Sequence, residues 1–243
     1  MEVTMERILL MVLRSIFQLP YWLYLLNKYK KHPDKYSEQT RYAFLHRLTV
    51  KANRRGGVHI TCTGTENLPK ESGYILFGNH QGLFDALLLL ETHDKPFATV
   101  SKIEIQNIPF LRDVFTLLGS KFIVREDVRQ SLKVLNEVTE EVKQGKNYLI
   151  FPEGTRSKNG NQIQEFKGGS FKSAMNAKCP IVPIAILDSY KVFDTHSIKK
   201  TSVQIHYLKP LYYDDYKGMK SNDIAAYVSE TIKNKIAESE AAL

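Results

Sequence analysis

The sequence lacks most of the features that would assign its class at sight. It has only 2 cysteines and 1 tryptophan in 243 residues. Cys62 and Cys179 stand far apart, which excludes a disulfide scaffold and suits a reduced, cytoplasm-facing setting, with a single bridge left open. There is no H-E-x-x-H and no Cys/His cluster, so no metal is expected. There is no G-x-S-x-G nucleophile elbow either; Gly168-Gly-Ser170-Phe-Lys172 comes nearest but lacks the final glycine. No apolar run approaches the roughly 20 residues of a spanning helix without interruption. What is present, 43% hydrophobic and 25% charged residues, excludes a disordered chain and is enough for one large α/β domain or two small ones.

The formal net charge of +8 invites a nucleic-acid reading until it is located. Residues 1–55 carry 11 Lys/Arg against 4 Asp/Glu, whereas the remainder carries 23 against 22. The body is nearly neutral, and the basic segment has no nucleic-acid recognition motif, so no nucleic-acid partner is expected. Its neighbours are apolar instead: Ile8–Leu13, then Leu19–Leu26 with Trp22 between Tyr21 and Tyr24.

Arg7, Arg14, Gln18 and Pro20 interrupt this stretch, which argues against a span and for helices lying in a lipid–water interface. In that arrangement the arginines extend to the headgroups, Tyr21, Trp22 and Tyr24 sit at headgroup level, and Lys28, Lys30, Lys31 and Lys35 face anionic lipid. A basic helix packed on the domain is the alternative. Glu2 and Glu6 occupy the region that a signal peptide needs basic, so the segment is expected to stay. The division expected is therefore 1–55, membrane-associating helices, and 56–243, an α/β domain.

Seven short β-like runs follow: Val58–Cys62, Tyr74–Phe77, Phe97–Val100, Lys121–Val124, Tyr148–Phe151, Ile181–Ile186 and Val203–Tyr207. Helical patterns separate them at Leu83–Glu91, Pro109–Leu118, Gln130–Lys143 and Gly168–Asn176, and a last helix spans Asp223–Glu240. This alternation predicts a mostly parallel sheet flanked by helices. The compact apolar runs read as interior strands, and the alternating first and last as strands with one solvated face.

Chemistry gathers at the strand ends. Asn79-His80-Gln-Gly-Leu-Phe-Asp85 places an imidazole just before a helix and a carboxylate in its first turn. There Asp85 can orient His80 as a general base, or merely cap the helix. With no positioned nucleophile, the pair suggests activation of a substrate hydroxyl. Lys102 and Arg125 follow two strands that would end on one sheet edge, where an ammonium and a guanidinium suit a phosphate. Ion pairs with Glu104, Glu126 or Asp127 are the plainer reading. Phe151-Pro-Glu153-Gly154-Thr155-Arg156-Ser157 follows another strand. Gly154 permits close backbone approach, Glu153 can accept from a polyol, and Arg156 can bind phosphate or hold the loop through a carboxylate.

Four blocks in order resemble the glycerophospholipid acyltransferase family, most closely its bacterial 1-acylglycerol-3-phosphate members. They are Asn79–Asp85; Lys102 with Ile108-Pro-Phe110 and Gly119–Arg125; Phe151–Ser157; and Ile181–Ile186. The resemblance covers residues 58–190. It implies that His80 is the base and Asp85 its orienter, that Lys102 and Arg125 bind the acceptor phosphate, and that Glu153 and Gly154 belong to acceptor binding; Thr155 and Arg156 of the same block are taken with them as substrate-binding candidates. The Val182-Pro183 block would shape a pocket. One departure is Val124, where many members have Asp.

The resemblance further implies transfer of an acyl group to the sn-2 hydroxyl of lysophosphatidic acid, giving phosphatidic acid. The thioester of acyl carrier protein or coenzyme A would be co-substrate, no cofactor is needed, and anionic membrane lipids are partners at the cytoplasmic face of the cell membrane, in a peripheral or monotopic mode. Acylation of glycerol-3-phosphate or another lysophospholipid is the near alternative; a lipid-binding adaptor without turnover is the distant one. The oxyanion donors are open, with backbone groups around His80 and Gly154 as candidates.

Overall fold

The computed structural model describes residues 4–124 and 126–242. Its elements run α1 (Glu6–Leu13), α2 (Leu19–Lys31), α3 (Glu38–Arg55), β1 (Val58–Thr63), β2 (Ile75–Gly78), α4 (Phe84–Thr92), β3 (Phe97–Lys102), α5 (Pro109–Leu117), β4 (Lys121–Ile123), α6 (Val128–Lys143), β5 (Asn147–Ile150), α7 (Lys172–Ala177), β6 (Ile181–Leu187), α8 (Tyr190–Phe193), β7 (Thr201–Tyr207), α9 (Tyr213–Tyr216) and α10 (Ser221–Ala241). The seven strands form one sheet in the order β1-β7-β6-β2-β5-β3-β4. β2 to β6 all run parallel, β7 is antiparallel to β6, and β1 is parallel to β7. The carboxyl ends of the five parallel strands therefore share one edge, where loops can gather a site.

The apolar patterning explains which strands are central. Every residue of β2, β5 and β6 is buried, whereas β1 at the margin alternates half-buried and exposed residues. Side chains on β2 alternate between two layers. Ile75 and Phe77 join α6, α7 and α10 in one, and Leu76 joins α3 and α4 in the other. Each such buried side chain contributes roughly 1.5–3 kcal/mol. The helix expected over Gly168–Asn176 is a 3-10 turn at Gly168–Phe171 running into α7. Val182 and Pro183 lie inside β6, Pro183 in register with Phe77, so they build the sheet that carries the site. Both cysteines are free.

The N-terminal segment departs from the expectation at two residues. Arg7 does not extend outward; it is fully buried. Its Nε donates to Val192 O (3.0 Å), its Nη1 to Gly56 O (2.6 Å), and its Nη2 to Ser197 O (2.9 Å), Lys199 O (2.7 Å) and Thr201 Oγ1 (3.2 Å). The physical reason is stoichiometric: a planar guanidinium with five N–H groups satisfies carbonyls at the end of α3 and along the 192–199 segment that no helix or strand engages. Trp22 is likewise inside, packed in the core layer that holds Leu26 and Phe44, with the Arg55 guanidinium 5.6 Å from its ring.

The stretch between α1 and α2 turns at Arg14–Gln18, and Pro20 sits harmlessly in the first turn of α2. No helix of the described residues is long and apolar enough to cross a membrane. Leu9, Leu13, Ile16, Phe17, Tyr21 and Tyr24 are exposed, Phe17 almost completely at 98%. Through Arg7, α1 is fixed beside the start of β7, which lies next to the end of β6.

Candidate active site

β2 delivers the first loop. Asn79 fastens it to β6: its Nδ2 donates to Ile186 O and its Oδ1 accepts from Ile186 N, both at 2.8 Å. Next comes His80, whose Nδ1 lies 2.7 Å from Asp85 Oδ2 in the first turn of α4. The same Oδ2 accepts from the amides of Gln81 (2.8 Å) and Gly82 (3.0 Å), so the loop folds around the carboxylate it serves. Asp85 has no exposure, while the His80 side chain is 18% exposed. A carboxylate on Nδ1 places the ring proton there and leaves the Nε2 lone pair for a substrate proton. Nε2 has no hydrogen-bond partner among the described residues. The ring stacks on Phe151, centroids 4.2 Å apart and planes 14° apart, which limits its rotation.

A second layer of residues, invisible as chemistry in the sequence, holds this pair. The Ser189 hydroxyl, one residue before α8, meets Asp85 Oδ1. Its amide donates to Gln81 Oε1 at 2.8 Å. Gln81 Nε2 in turn donates to Asn161 Oδ1 at 2.8 Å. The only early signal for Ser189 is its position after a strand that ends on the same edge as β2.

β5 delivers the second loop beside the first. Glu153 is 3% exposed, and both its oxygens are engaged: Oε1 accepts from His80 N at 2.8 Å and Oε2 from Gln164 N at 3.2 Å. Glu153 thereby ties the two loops together. Burial pushes its carboxyl up to about 7; the two amides oppose the rise and the charge of Asp85 adds to it. Gly154 has φ +72°, a backbone conformation that favours glycine, and the flexible end of Lys167 lies beside it. Thr155 Oγ1 donates to Gln164 Oε1 at 3.1 Å. Ser157 N donates to His80 O at 2.7 Å, which brings Arg156 next to the His80–Gly82 loop.

The remaining predicted residues lie further along the edge. β3 is two strands from β2, a displacement of about 10 Å at ordinary strand spacing. Its last residue, Lys102, pairs with Glu104 Oε1 at 2.6 Å, and both side chains are substantially exposed. Arg125 lies outside the described residues; β4, the strand before it, sets Ile123 in register with Lys102. Backbone amides considered as oxyanion donors are already engaged: His80 N by Glu153, Gln81 N and Gly82 N by Asp85, and Gly154 N by Phe151 O. Among the described residues, no group of three or more His, Cys, Asp or Glu is placed to hold a metal ion.

Chemically, this is an oriented, partly exposed imidazole, with no serine or cysteine of the described residues on its free nitrogen. Residues 59–187, just over half the chain, match the sequence profile of the family described as Acyltransferase. The chain belongs to the Acyltransferase family.

Relatives agree with that membership. This acyltransferase-family chain is 31% identical over 150 residues to a 1-acyl-sn-glycerol-3-phosphate acyltransferase of Borreliella burgdorferi, covering 62% of this chain and 60% of the relative. It is 33% identical over 166 residues to a probable enzyme of the same description in Mycoplasma pneumoniae, covering 66% and 61%. The chain thus spans about three fifths of the length of these two curated relatives. The Escherichia coli protein so described is 26% identical over 183 residues, covering 75% and 74%. The fold is that of the 1-acyl-sn-glycerophosphate (LPA) acyltransferase PlsC from Thermotoga maritima, with a TM-score of 0.77, 24% identity and 96% coverage of both chains.

Proposed function

We propose that this acyltransferase-family chain moves a fatty acyl group from a thioester to the sn-2 hydroxyl of 1-acyl-glycerol-3-phosphate, forming phosphatidic acid. The observation that carries the reading is the His80 Nδ1–Asp85 contact of 2.7 Å with Nε2 left open to substrate. His80 Nε2 takes the proton of the acceptor hydroxyl as its oxygen attacks the thioester carbonyl carbon. The tetrahedral adduct collapses, the C–S bond breaks, and the departing thiolate sulfur takes the proton back from His80. Ester and free thiol are the products, and no acyl-enzyme forms.

Acyl carrier protein or coenzyme A supplies the thioester in this reading. The acceptor phosphate is met by the cationic side chains of the strand-end loops, Arg156 beside His80 and Lys102 and Arg125 further along the edge. The exposed apolar residues around Phe17 rest on the membrane, peripheral or monotopic, at its cytoplasmic face. The exposed basic residues of 1–55 add attraction to anionic lipid, each worth on the order of 1 kcal/mol near the surface, while the buried Arg7 takes no part.

The test is transfer of labelled acyl groups by purified protein, from acyl carrier protein and from coenzyme A thioesters, to lysophosphatidate, glycerol-3-phosphate and lysophosphatidylcholine in competition. Lysophosphatidate is the preferred acceptor, and His80→Ala abolishes turnover. Undiminished turnover in the variant removes His80 as base, and preference for another acceptor replaces the substrate.

A further inference from the structure

One buried carboxylate beside the site has no part in the chemistry above. Asp194 follows α8, and its side chain is 3% exposed. Its Oδ1 accepts no hydrogen bond from any described residue. Facing it is Arg156, with Nη1 at 3.8 Å, close enough to attract but too far to hydrogen-bond. The other oxygen, Oδ2, lies against the catalytic loop: a Cβ on Gly82 would come within 3.2 Å of it.

The two ends of this pair are fixed by separate contacts. Arg156 leaves the turn whose next residue, Ser157, donates to the His80 carbonyl. Asp194 is held by its flanks, because Thr4 N donates to Phe193 O at 2.6 Å and Thr4 Oγ1 to Thr195 O at 2.9 Å. The guanidinium therefore lies beside the His80–Gly82 loop, 40% exposed and without a hydrogen bond among the described residues. Burial pushes the Asp194 carboxyl above its ordinary range, Arg156 pulls it back, and the charge of Asp85 adds to the rise. An unsatisfied acceptor this close to a second carboxylate is costly to keep, which favours a functional reason for its presence.

We propose that Asp194 is a positioning residue that aims the Arg156 guanidinium at the anionic group of the acceptor. It anchors one side of the guanidinium and leaves the remaining N–H groups to a phosphate, as a planar fork permits. The assignment rests on the acceptor proposed above.

The experiment compares Asp194→Asn, Arg156→Ala and the double variant with the intact protein. Equilibrium binding of a short-chain lysophosphatidate is measured without thioester, alongside monoacylglycerol binding and steady-state transfer. Asp194→Asn is expected to weaken lysophosphatidate binding and raise its KM about tenfold, with kcat held within about twofold and monoacylglycerol unaffected. In the Arg156→Ala background it adds nothing. Unchanged binding in Asp194→Asn, or an equal loss in the Arg156→Ala background, overturns the assignment. Should the intact protein bind lysophosphatidate without acylating it, the functional reading fails while Asp194 is still judged on binding. Should it not bind at all, the assignment is overturned too.

Discussion

Ser189 stands 104 residues after Asp85, yet its hydroxyl meets Asp85 Oδ1 inside the protein. That contact makes the His80–Asp85 pair part of a chain of hydrogen bonds running through Gln81 to Asn161. A carboxylate with no exposure must have its oxygens satisfied by protein groups, and Ser189 satisfies the one that the His80–Gly82 loop does not reach.

Removing that hydroxyl gives the first prediction. Ser189→Ala leaves Asp85 Oδ1 without its donor and is expected to cost about 1.5–3 kcal/mol of stability, with a lowered kcat and little change in acceptor KM. Urea unfolding and steady-state kinetics measure both. Wild-type stability and turnover would show that Ser189 does not support Asp85.

Glu153 gives a pH prediction. Its carboxyl is raised from an ordinary 4.5 to about 7 by burial first, so between these values the unfolded chain has released a proton that the folded chain still binds. Stability contributed by this group is present below pH 4.5, falls as pH rises to about 7 and is level above it, by about 3 kcal/mol at most. Glu153→Gln lacks this titration. Unfolding curves from pH 4.5 to 8 should show wild type losing stability relative to the variant, and parallel profiles would falsify the assignment.

Arg7 gives a prediction about the N-terminal segment. Arg7→Lys keeps the charge but presents three N–H groups from one atom, and so abandons carbonyls that the guanidinium reaches from three nitrogens. A loss of about 3 kcal/mol is expected, together with faster proteolysis ahead of α3, read by limited digestion. Arg14→Lys, at a surface position whose side chain bonds, among the described residues, to Arg55 O alone, should change stability by less than about 0.5 kcal/mol.

The exposed apolar edge gives the fourth. Leu13→Asp with Phe17→Asp removes two side chains that are 56% and 98% exposed and should leave the folding stability nearly unchanged. Co-sedimentation with vesicles containing phosphatidylglycerol should fall by more than about tenfold, since each apolar group contributes roughly 1.5–3 kcal/mol when buried. Turnover of a soluble short-chain acceptor should persist. Equal vesicle binding by the variant would move the docking surface elsewhere.

Much of this arrangement was legible in the residues themselves. All seven strands follow from compact apolar or alternating runs, because a strand's burial pattern is local and has period two. His80 and Asp85 were legible for the same reason, five positions apart across a strand-to-helix junction. The tie that Glu153 makes between two loops was not legible, because the amides that engage it belong to His80 and Gln164 on other loops. Arg7 and Trp22 were misplaced at a lipid surface. Nothing within the first segment shows that the ends of α3 and α8 offer unpaired carbonyls to a guanidinium.

By itself, then, the sequence determined the α/β alternation, the family, the pairing of His80 with Asp85 and the confinement of positive charge to residues 1–55, all of them matters of local pattern or composition. Tertiary structure alone decided that Ser189 supports Asp85, that Glu153 ties two loops, that Arg156 faces Asp194, and that Arg7 is an internal brace. Each of these depends on which strand ends share an edge of the sheet. A hydrogen bond acts over about 3 Å, and only the folded chain brings residues a hundred positions apart within that reach.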